Sequence, residues 1–152
     1  MAKSKKRSGS NGPPEQVFFV DRDLGRAFVQ VLRQGGLRVE AHDDHFRQDS
    51  PDEEWLLETA NREWIVLTHD AKIRYTSRAK EAILAARARV IVLKGKSPTA
   101  RMAEAFLLTL KRVLRFLKKQ EGPFIAKLYP NLDEPNQPGR IELWFDRDLL
   151  GR

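Results

Sequence analysis

The sequence contains no cysteine. This absence excludes disulfide bonds, thiolate metal sites and a cysteine nucleophile, and it fits a reducing compartment. Any catalysis by this chain must therefore depend on oxygen or nitrogen groups, or on a hard metal ion that such groups hold.

Long hydrophobic runs are also lacking. No window approaches the roughly 18 consecutive apolar residues of a membrane helix, and the N-terminus is polar rather than signal-like. The sequence therefore predicts a soluble, cytoplasmic protein with no membrane partner. At 152 residues, the chain is long enough for one domain with a substantial core but too short for two.

Acidic residues are outnumbered: 28 Lys and Arg stand against 21 Asp and Glu, which gives a formal charge of +7. This excess favours an anionic partner, most commonly nucleic acid, and the alternative is a solvated basic surface. Residues 1–16 combine lysine with Ser, Gly and Pro and contain almost nothing apolar. We predict a disordered basic tail there, either a phosphate-binding arm or a solubilising extension, followed by a single domain over residues 17–152.

Short apolar runs alternate with helical patterns between residues 17 and 94. The runs begin at Val17, Leu37, Trp64 and Arg89 and have the length of buried strands. Strands that alternate with helices in this way form a parallel sheet covered on both faces. The sequence therefore predicts a three-layer α/β/α domain with a mainly parallel central sheet.

Two of the predicted helices carry start signals. In the stretch S-P-D-E, Ser50 is predicted to be the N-cap, Pro51 the first helical residue and Glu53 the partner in a capping box. Asp23 precedes the first helix and is interpreted as its N-cap, with a supporting role in a site as the second interpretation.

Residues 97–146 are predicted to extend this core. The stretch KSPTARMAEAFLLTLKRVLRFLKKQEG predicts one long C-terminal helix, whose apolar stripe includes Met102, Phe106 and Leu114. PFIAKLYP and RIELWF are joined by the turn-rich segment NLDEPNQPG, which predicts a terminal β-hairpin with a long loop.

Acidic residues follow the predicted strands at their carboxyl ends, which lie at one edge of a parallel sheet. Six carboxylates are expected there: Asp21, Asp43, Asp44, Asp52, Glu53 and Asp70. Like charges that lie close together are costly to ionise unless a cation sits between them. Oxygen ligands without thiolate suit Mg²⁺ or Mn²⁺, and such ions promote phosphodiester hydrolysis.

The six acids differ in how strongly they indicate a site. Asp21 and Asp70 end buried apolar runs, where an unpaired charge is costly, and a functional role is favoured for both. Either Asp52 or Glu53 could be a ligand, and both could instead stabilise the helix start. Asp44 is interpreted as a solvated loop residue or a supporting ligand.

Basic residues that could bind a phosphate backbone occur in three places. They are Lys72 and Arg74 after the third strand, Lys94 and Lys96 after the fourth, and Lys111, Arg112 and Arg115 in the long helix. Solvation of a loop, or the helix dipole in the case of the long helix, is the alternative explanation.

The motifs FFVDRDLG, SPDEEWL and WIVLTHDAKIR occur in this order within residues 17 to about 94. In this respect the chain resembles the PIN-like nucleases, and most closely the VapC-type toxin branch. The resemblance implies a Mg²⁺- or Mn²⁺-dependent ribonuclease whose ligands would be Asp21, Asp52 or Glu53, and Asp70. Many PIN-like domains have a further acid after the next strand, where this chain has Lys94 and Lys96 instead.

From these observations we predict a metal-dependent endoribonuclease that cleaves RNA as the toxin of a toxin-antitoxin pair. The resemblance implies an antitoxin protein as its partner, and the chain could also form a homodimer. The alternative is a non-catalytic PIN-like module that binds RNA or a protein partner through its basic C-terminal helix.

Overall fold

A computed structural model of the chain describes residues 16–69, 77–96 and 99–146. The predicted disorder of the N-terminal tail falls almost wholly outside these residues. The predicted site residues Asp70, Lys72 and Arg74 also lie outside the described residues.

Strands and helices alternate along the described chain. They are β1 (Val17–Val20), α1 (Gly25–Gln34), β2 (Arg38–Ala41), α2 (Asp52–Asn61), β3 (Ile65–Thr68), α3 (Ser77–Ala86), β4 (Arg89–Leu93), α4 (Thr99–Lys119), β5 (Phe124–Tyr129) and β6 (Arg140–Asp146). Short 3₁₀ helices follow β1 and β2, at Arg22–Leu24 and His42–Asp44. Within the described ranges, no helix is both long enough and apolar enough to cross a membrane.

The strands form one six-stranded sheet in the order β2-β1-β3-β4-β5-β6. All neighbours from β2 to β5 are parallel, and β6 pairs antiparallel with β5. The predicted three-layer fold with a mainly parallel sheet, a long C-terminal helix and a terminal hairpin is confirmed. The hairpin belongs to the sheet itself, because β5 also pairs with β4.

Helices cover both faces of the sheet, as the packing of two side chains of β1 shows. Side chains alternate across a strand, so Phe18 packs edge-on against Phe106 of α4 on one face, with a ring-centroid distance of 5.4 Å. Phe19 stacks on Trp55 of α2 on the other face, at 5.7 Å. Both phenylalanines are buried, and burial of each contributes roughly 1.5–3 kcal/mol. The carboxyl end of β1, and therefore Asp21, is fixed from both sides.

The predicted start of α2 is wrong. Ser50 does not cap α2 and no capping box forms, because α2 begins at Asp52 and its N-cap is Pro51, which makes no side-chain hydrogen bond. The extended backbone at Pro51, with ψ of 147°, leaves Ser50 one residue too far from the helix. Leu114, which the sequence includes in the apolar stripe of α4, is 40% exposed. It follows Val113, which is buried, and adjacent helical residues point about 100° apart.

Candidate active site

Asp21 directly follows β1, and hydrogen bonds hold both its backbone and its side chain in place. Its backbone N–H donates to the carbonyl oxygen of Leu67 in β3 at 3.0 Å. Its carboxylate accepts two hydrogen bonds, from the backbone N–H of Arg22 to Oδ1 at 2.7 Å and from Thr68 Oγ1 to Oδ2 at 2.8 Å. The carboxylate therefore has a fixed orientation at the carboxyl edge of the sheet.

Burial raises the pKa of Asp21 above its ordinary value, and removal from water is the largest cause. The hydrogen bonds from Thr68 and Arg22 act in the opposite direction and lower this pKa, as does the nearby His42, while the charge of Asp52 raises it. The ionised form of Asp21 is therefore disfavoured on balance. A cation beside its carboxylate would relieve this cost.

Asp23 lies in the 3₁₀ helix and turns back toward the end of β3. Its carboxylate accepts hydrogen bonds from the backbone N–H of His69, at 3.2 Å to Oδ2, and from Thr68 Oγ1 at 3.4 Å. The Oδ2 atoms of Asp21 and Asp23 therefore lie 2.8 and 3.4 Å from one hydroxyl oxygen, so they cannot be more than about 6.2 Å apart.

The prediction that Asp23 caps α1 is wrong. The N-cap residue of α1 is Leu24, which makes no side-chain hydrogen bond, and Asp21 caps the preceding 3₁₀ helix instead. The 3₁₀ turn between the strand and α1 is the physical reason, because it directs the side chain of Asp23 toward β3.

Asp52, the first residue of α2, completes an open cleft at this edge of the sheet. Among the described residues, the cleft is lined by Asp21, Arg22, Asp23, His42, Gln48, Ser50, Asp52 and Trp55. The Trp55 indole Nε1–H donates to Asp52 Oδ1 at 3.1 Å, one helical turn away. The structure thus brings the carboxylate of Asp52 into the same cleft as Asp21 and Asp23.

Glu53 lies outside this cleft. Its carboxylate forms a two-point ion pair with Arg78 of α3, with Arg78 Nε 3.1 Å from Oε1 and Nη2 3.2 Å from Oε2. The two residues that the sequence left as alternatives are therefore separated by the structure: Asp52 faces Asp21, and Glu53 connects α2 to α3.

The acids after β2 have different surroundings. Asp43 Oδ1 lies 3.3 Å from Arg22 Nε and 3.4 Å from Nδ1 of the buried His42. Asp44 is exposed and is not among the described residues that line the cleft. The structure therefore connects Asp43 to the cleft through Arg22, and it does not bring Asp44 to Asp21.

Sequence reasoning missed two residues of the site, one that supports the cleft and one that lines it. Thr68 is fully buried, and a buried hydroxyl needs a hydrogen-bond partner, so its position at the end of a buried strand was a usable signal. Arg22 is the one arginine or lysine that lines the cleft in the described part of the chain. Its position between two aspartates was visible in D-R-D, but Asp43, which holds it, comes 21 residues later.

His69 connects the cleft to the end of β4. Its backbone N–H donates to Asp23, and its ring nitrogen Nε2 lies 2.7 Å from the carbonyl oxygen of Gly95. The ends of β1, β3 and β4 are therefore tied together at the edge where the acids lie.

The donor set of the cleft fits a hard divalent ion. The carboxylates of Asp23 and Asp52 line the same cleft as the partly buried Asp21, and the chain offers no thiolate. Within the described ranges, however, no group of three or more acidic or histidine side chains is arranged closely enough to hold a metal. Asp70, the third predicted ligand, lies outside those ranges.

The predicted nucleic-acid-binding residues fall on two surfaces. Lys94 and Lys96 follow β4 at the same sheet edge as the acids. Lys111 and Arg115 of α4 instead line a groove with Gly36, Leu37 and Arg38, at the amino ends of β1 and β2. The second half of α4 therefore lies at the edge opposite the cleft.

Arg112, the third predicted basic residue of α4, has a structural contact. Its guanidinium Nη1 donates to the carbonyl oxygen of Gly139 at 2.6 Å, which ties α4 to the loop before β6. Its position is thus explained by the anchoring of that loop.

A family model described as a PIN like domain matches residues 16–95, which is more than half of the chain. The chain belongs to the PIN-like domain family. The curated protein named "Putative ribonuclease VapC45", from Mycobacterium tuberculosis, is 30% identical over 120 residues, which cover 75% of this chain and 86% of that protein. No solved structure matches the chain significantly. The predicted membership of the PIN-like family and its VapC-type branch is confirmed.

The part of this PIN-like domain that the family model matches begins before β1 and ends after β4. It includes the cleft residues Asp21, Asp23 and Asp52, and also Thr68. Helix α4 and strands β5 and β6 lie outside the match, although they complete the sheet and one of its helical layers.

Proposed function

We propose that this PIN-like domain is a metal-dependent endoribonuclease that acts as the toxin of a toxin-antitoxin pair. The observation that carries the proposal is the cleft that Asp21, Asp23 and Asp52 line together, with Asp21 partly buried so that its charge is disfavoured. The similarity to a protein named as a VapC ribonuclease supports RNA as the substrate. An antitoxin protein is proposed as the partner from the same similarity.

The proposed metal ligands are Asp21 and Asp52, with Asp70 as the third and Asp23 in support. When bound there, Mg²⁺ or Mn²⁺ would polarise the scissile phosphate and lower the pKa of an attacking water. Glu53 is not proposed as a ligand, because its carboxylate is engaged by Arg78.

The remaining cleft residues orient these carboxylates and receive the substrate. Thr68 holds Asp21, and His69 holds Asp23, so the acids keep their positions without rearrangement. Arg22 is 41% exposed on the cleft wall and would bind the RNA phosphate, which is an anion that a guanidinium recognises well. Lys94 and Lys96, with Lys72 and Arg74, are proposed to contact the flanking backbone.

The direct test is to incubate the purified protein with single-stranded RNA in Mg²⁺, in Mn²⁺ and in EDTA. Discrete cleavage products with either metal, and none in EDTA, are the expected result. Intact RNA under all three conditions would contradict the proposed function.

A second function, RNA or protein binding without catalysis, is favoured by the groove that Lys111, Arg115 and Arg38 form at the opposite edge of the sheet. It predicts intact RNA that nevertheless binds the protein, and loss of binding in the double variant Lys111→Ala, Arg115→Ala. If this double variant retains metal-dependent cleavage, non-catalytic binding is excluded as the main function.

A further inference from the structure

A second concave site lies at the carboxyl ends of β4 and β5. It is a pocket of about 270 Å³ between the start of α4 and the loop that joins β5 to β6. Its wall combines apolar side chains, such as Met102 and Leu132, with the cations of Lys94 and Arg101. Small-molecule sites begin at roughly 300 Å³, so this pocket suits one flat heterocycle better than a larger ligand.

A short series of contacts connects this pocket to the acidic cleft. The His69 backbone donates to Asp23 in the cleft, and the His69 ring contacts the Gly95 carbonyl oxygen. The neighbouring Lys94 donates its backbone N–H to the carbonyl oxygen of Leu128 at 2.9 Å, and both residues line the pocket. Adjacent strands are about 4.8 Å apart, so β1 and β5, three positions apart in the sheet, are separated by roughly 14 Å across it.

The loop that closes the pocket is anchored before any ligand binds. Asn131 Oδ1 accepts from the backbone N–H of Glu134 at 2.9 Å, and Gln137 N–H donates to the Glu134 carbonyl oxygen at 2.9 Å. Gly139 N–H donates to Thr109 Oγ1 of α4 at 3.0 Å. Leu132 is held at the pocket by this loop although it is 78% exposed. A preformed loop lowers the ordering cost of binding.

The chemistry of the wall matches a nucleotide. Apolar surfaces can pack on the face of a base, and the cations of Lys94 and Arg101 can bind its phosphate. The side-chain amide of Asn136 can both donate to and accept from a base edge. Glu104 also lines the pocket, and its carboxylate can accept from an exocyclic amino group.

We propose that this pocket binds one nucleobase of the RNA strand a few nucleotides from the scissile phosphate and thereby determines the sequence that is cleaved. The inference rests on the proposed function, because it names a specificity subsite for the same reaction. Sequence-specific proteins read RNA mainly through single-stranded bases that are turned out of the stack, and a pocket at the same sheet edge as the cleft can receive such a base.

The first arm of the test measures nucleotide binding and does not depend on catalysis. Chemical shifts of the protein are followed while AMP, CMP, GMP and UMP are titrated separately into wild type and into Leu132→Ala and Asn136→Ala. One nucleotide should bind more tightly than the others and perturb the pocket residues, and Asn136→Ala should weaken it about tenfold. The matched controls Leu57→Ala and Asn61→Ala, on exposed positions of α2, should bind like wild type.

The second arm compares cleavage maps on a mixed-sequence RNA. Wild type should prefer one base at a fixed distance from the cut, and Asn136→Ala should lose that preference while it continues to cleave. An unchanged map in both pocket variants, or nucleotides that leave the pocket residues unperturbed, would overturn the inference.

The two arms also separate this inference from the proposed function. Selective nucleotide binding in a protein that cleaves no RNA would support the base pocket and contradict the nuclease. Cleavage whose map is insensitive to Leu132 and Asn136 would support the nuclease and overturn the pocket.

Discussion

Thr68 and Asp21 come from neighbouring parallel strands and are joined by a hydrogen bond of 2.8 Å from Thr68 Oγ1 to Asp21 Oδ2. Thr68 is fully buried, and it ends β3 just as Asp21 follows β1. The hydroxyl thus fixes an acid of the cleft whose ionisation burial disfavours.

The substitution Thr68→Val should lower RNA cleavage by roughly 10- to 100-fold, the usual effect of losing a group that orients a ligand. Valine keeps the β-branched shape but cannot donate to Asp21. Because this hydrogen bond lowers the pKa of Asp21, its loss should raise that pKa further and move the acidic limb of the pH–rate profile to higher pH.

Thr59→Val is the matched control, since Thr59 is equally buried but donates to the Leu56 carbonyl oxygen within α2. Its pH–rate profile should equal that of wild type. A Thr68→Val profile that also coincides with wild type would show that the hydroxyl does not act on Asp21.

Asp21→Asn should stabilise the fold at neutral pH. The pKa of Asp21 in the folded state is raised above its ordinary value of 3.8, so the folded state binds the proton more tightly than the unfolded state. Proton binding at Asp21 therefore stabilises the folded state. This contribution to the free energy of unfolding is fully present below about pH 3.8, and it is lost as the pH rises through the folded-state pKa. Asparagine cannot ionise and avoids that loss.

Urea unfolding at a series of pH values measures the effect. The free energy of unfolding of Asp21→Asn should exceed that of wild type at pH 7, and the difference should shrink toward pH 4. Added Mg²⁺ should stabilise wild type more than the variant, because binding to the folded state shifts the equilibrium. An equal response of both proteins to Mg²⁺ would count against Asp21 as a ligand.

Asp52 and Glu53 provide a comparison of adjacent acids. Asp52→Asn should reduce cleavage by about 100-fold or more, because its carboxylate lies in the cleft with Asp21. Glu53→Gln should keep most of the activity and lose at most about 1 kcal/mol of stability, since its pair with Arg78 is largely exposed. Single-turnover cleavage and thermal unfolding of both variants test this, and a reversed order would assign the ligand role to Glu53.

Arg22 and Asp43 form an ion pair at the cleft, with Nε and Oδ1 3.3 Å apart. If Arg22 binds the phosphate, Arg22→Ala should lower kcat by roughly 100-fold, while Asp43→Asn should change it only a few-fold. If the pair only ties the two 3₁₀ helices together, both variants should lose activity and thermal stability in parallel. Measuring kcat and Tm of the two proteins side by side decides between these roles.

The sequence was sufficient to locate part of the cleft. Asp21 directly follows an apolar run and Asp52 opens the helix after the second strand, so the parallel order alone placed both at one edge. The direction of α4 could also have been inferred. It begins at the carboxyl end of β4, so its second half must approach the opposite edge, where Lys111 and Arg115 lie.

Other features depend on contacts that local patterns do not contain. The 3₁₀ helix that turns Asp23 toward His69 has no clear sequence signal. The different surroundings of Asp52 and Glu53 depend on Arg78, which is 25 residues from Glu53 and lies on α3. The base pocket exists because β5 joins the sheet beside β4, and the sequence predicted only its pairing with β6.

The proposed nuclease activity depends on the carboxylates of the cleft together with a divalent ion. The most direct measurement is the cleavage rate of a single-stranded RNA by wild type, Asp21→Asn and Asp49→Asn in Mg²⁺ or Mn²⁺. Asp49 is an exposed acid near the cleft that pairs with Arg47, so it controls for the loss of one negative charge. Rapid cleavage by wild type and Asp49→Asn, and a loss of at least about 100-fold in Asp21→Asn, is the predicted result. Equal rates in all three proteins would contradict the account.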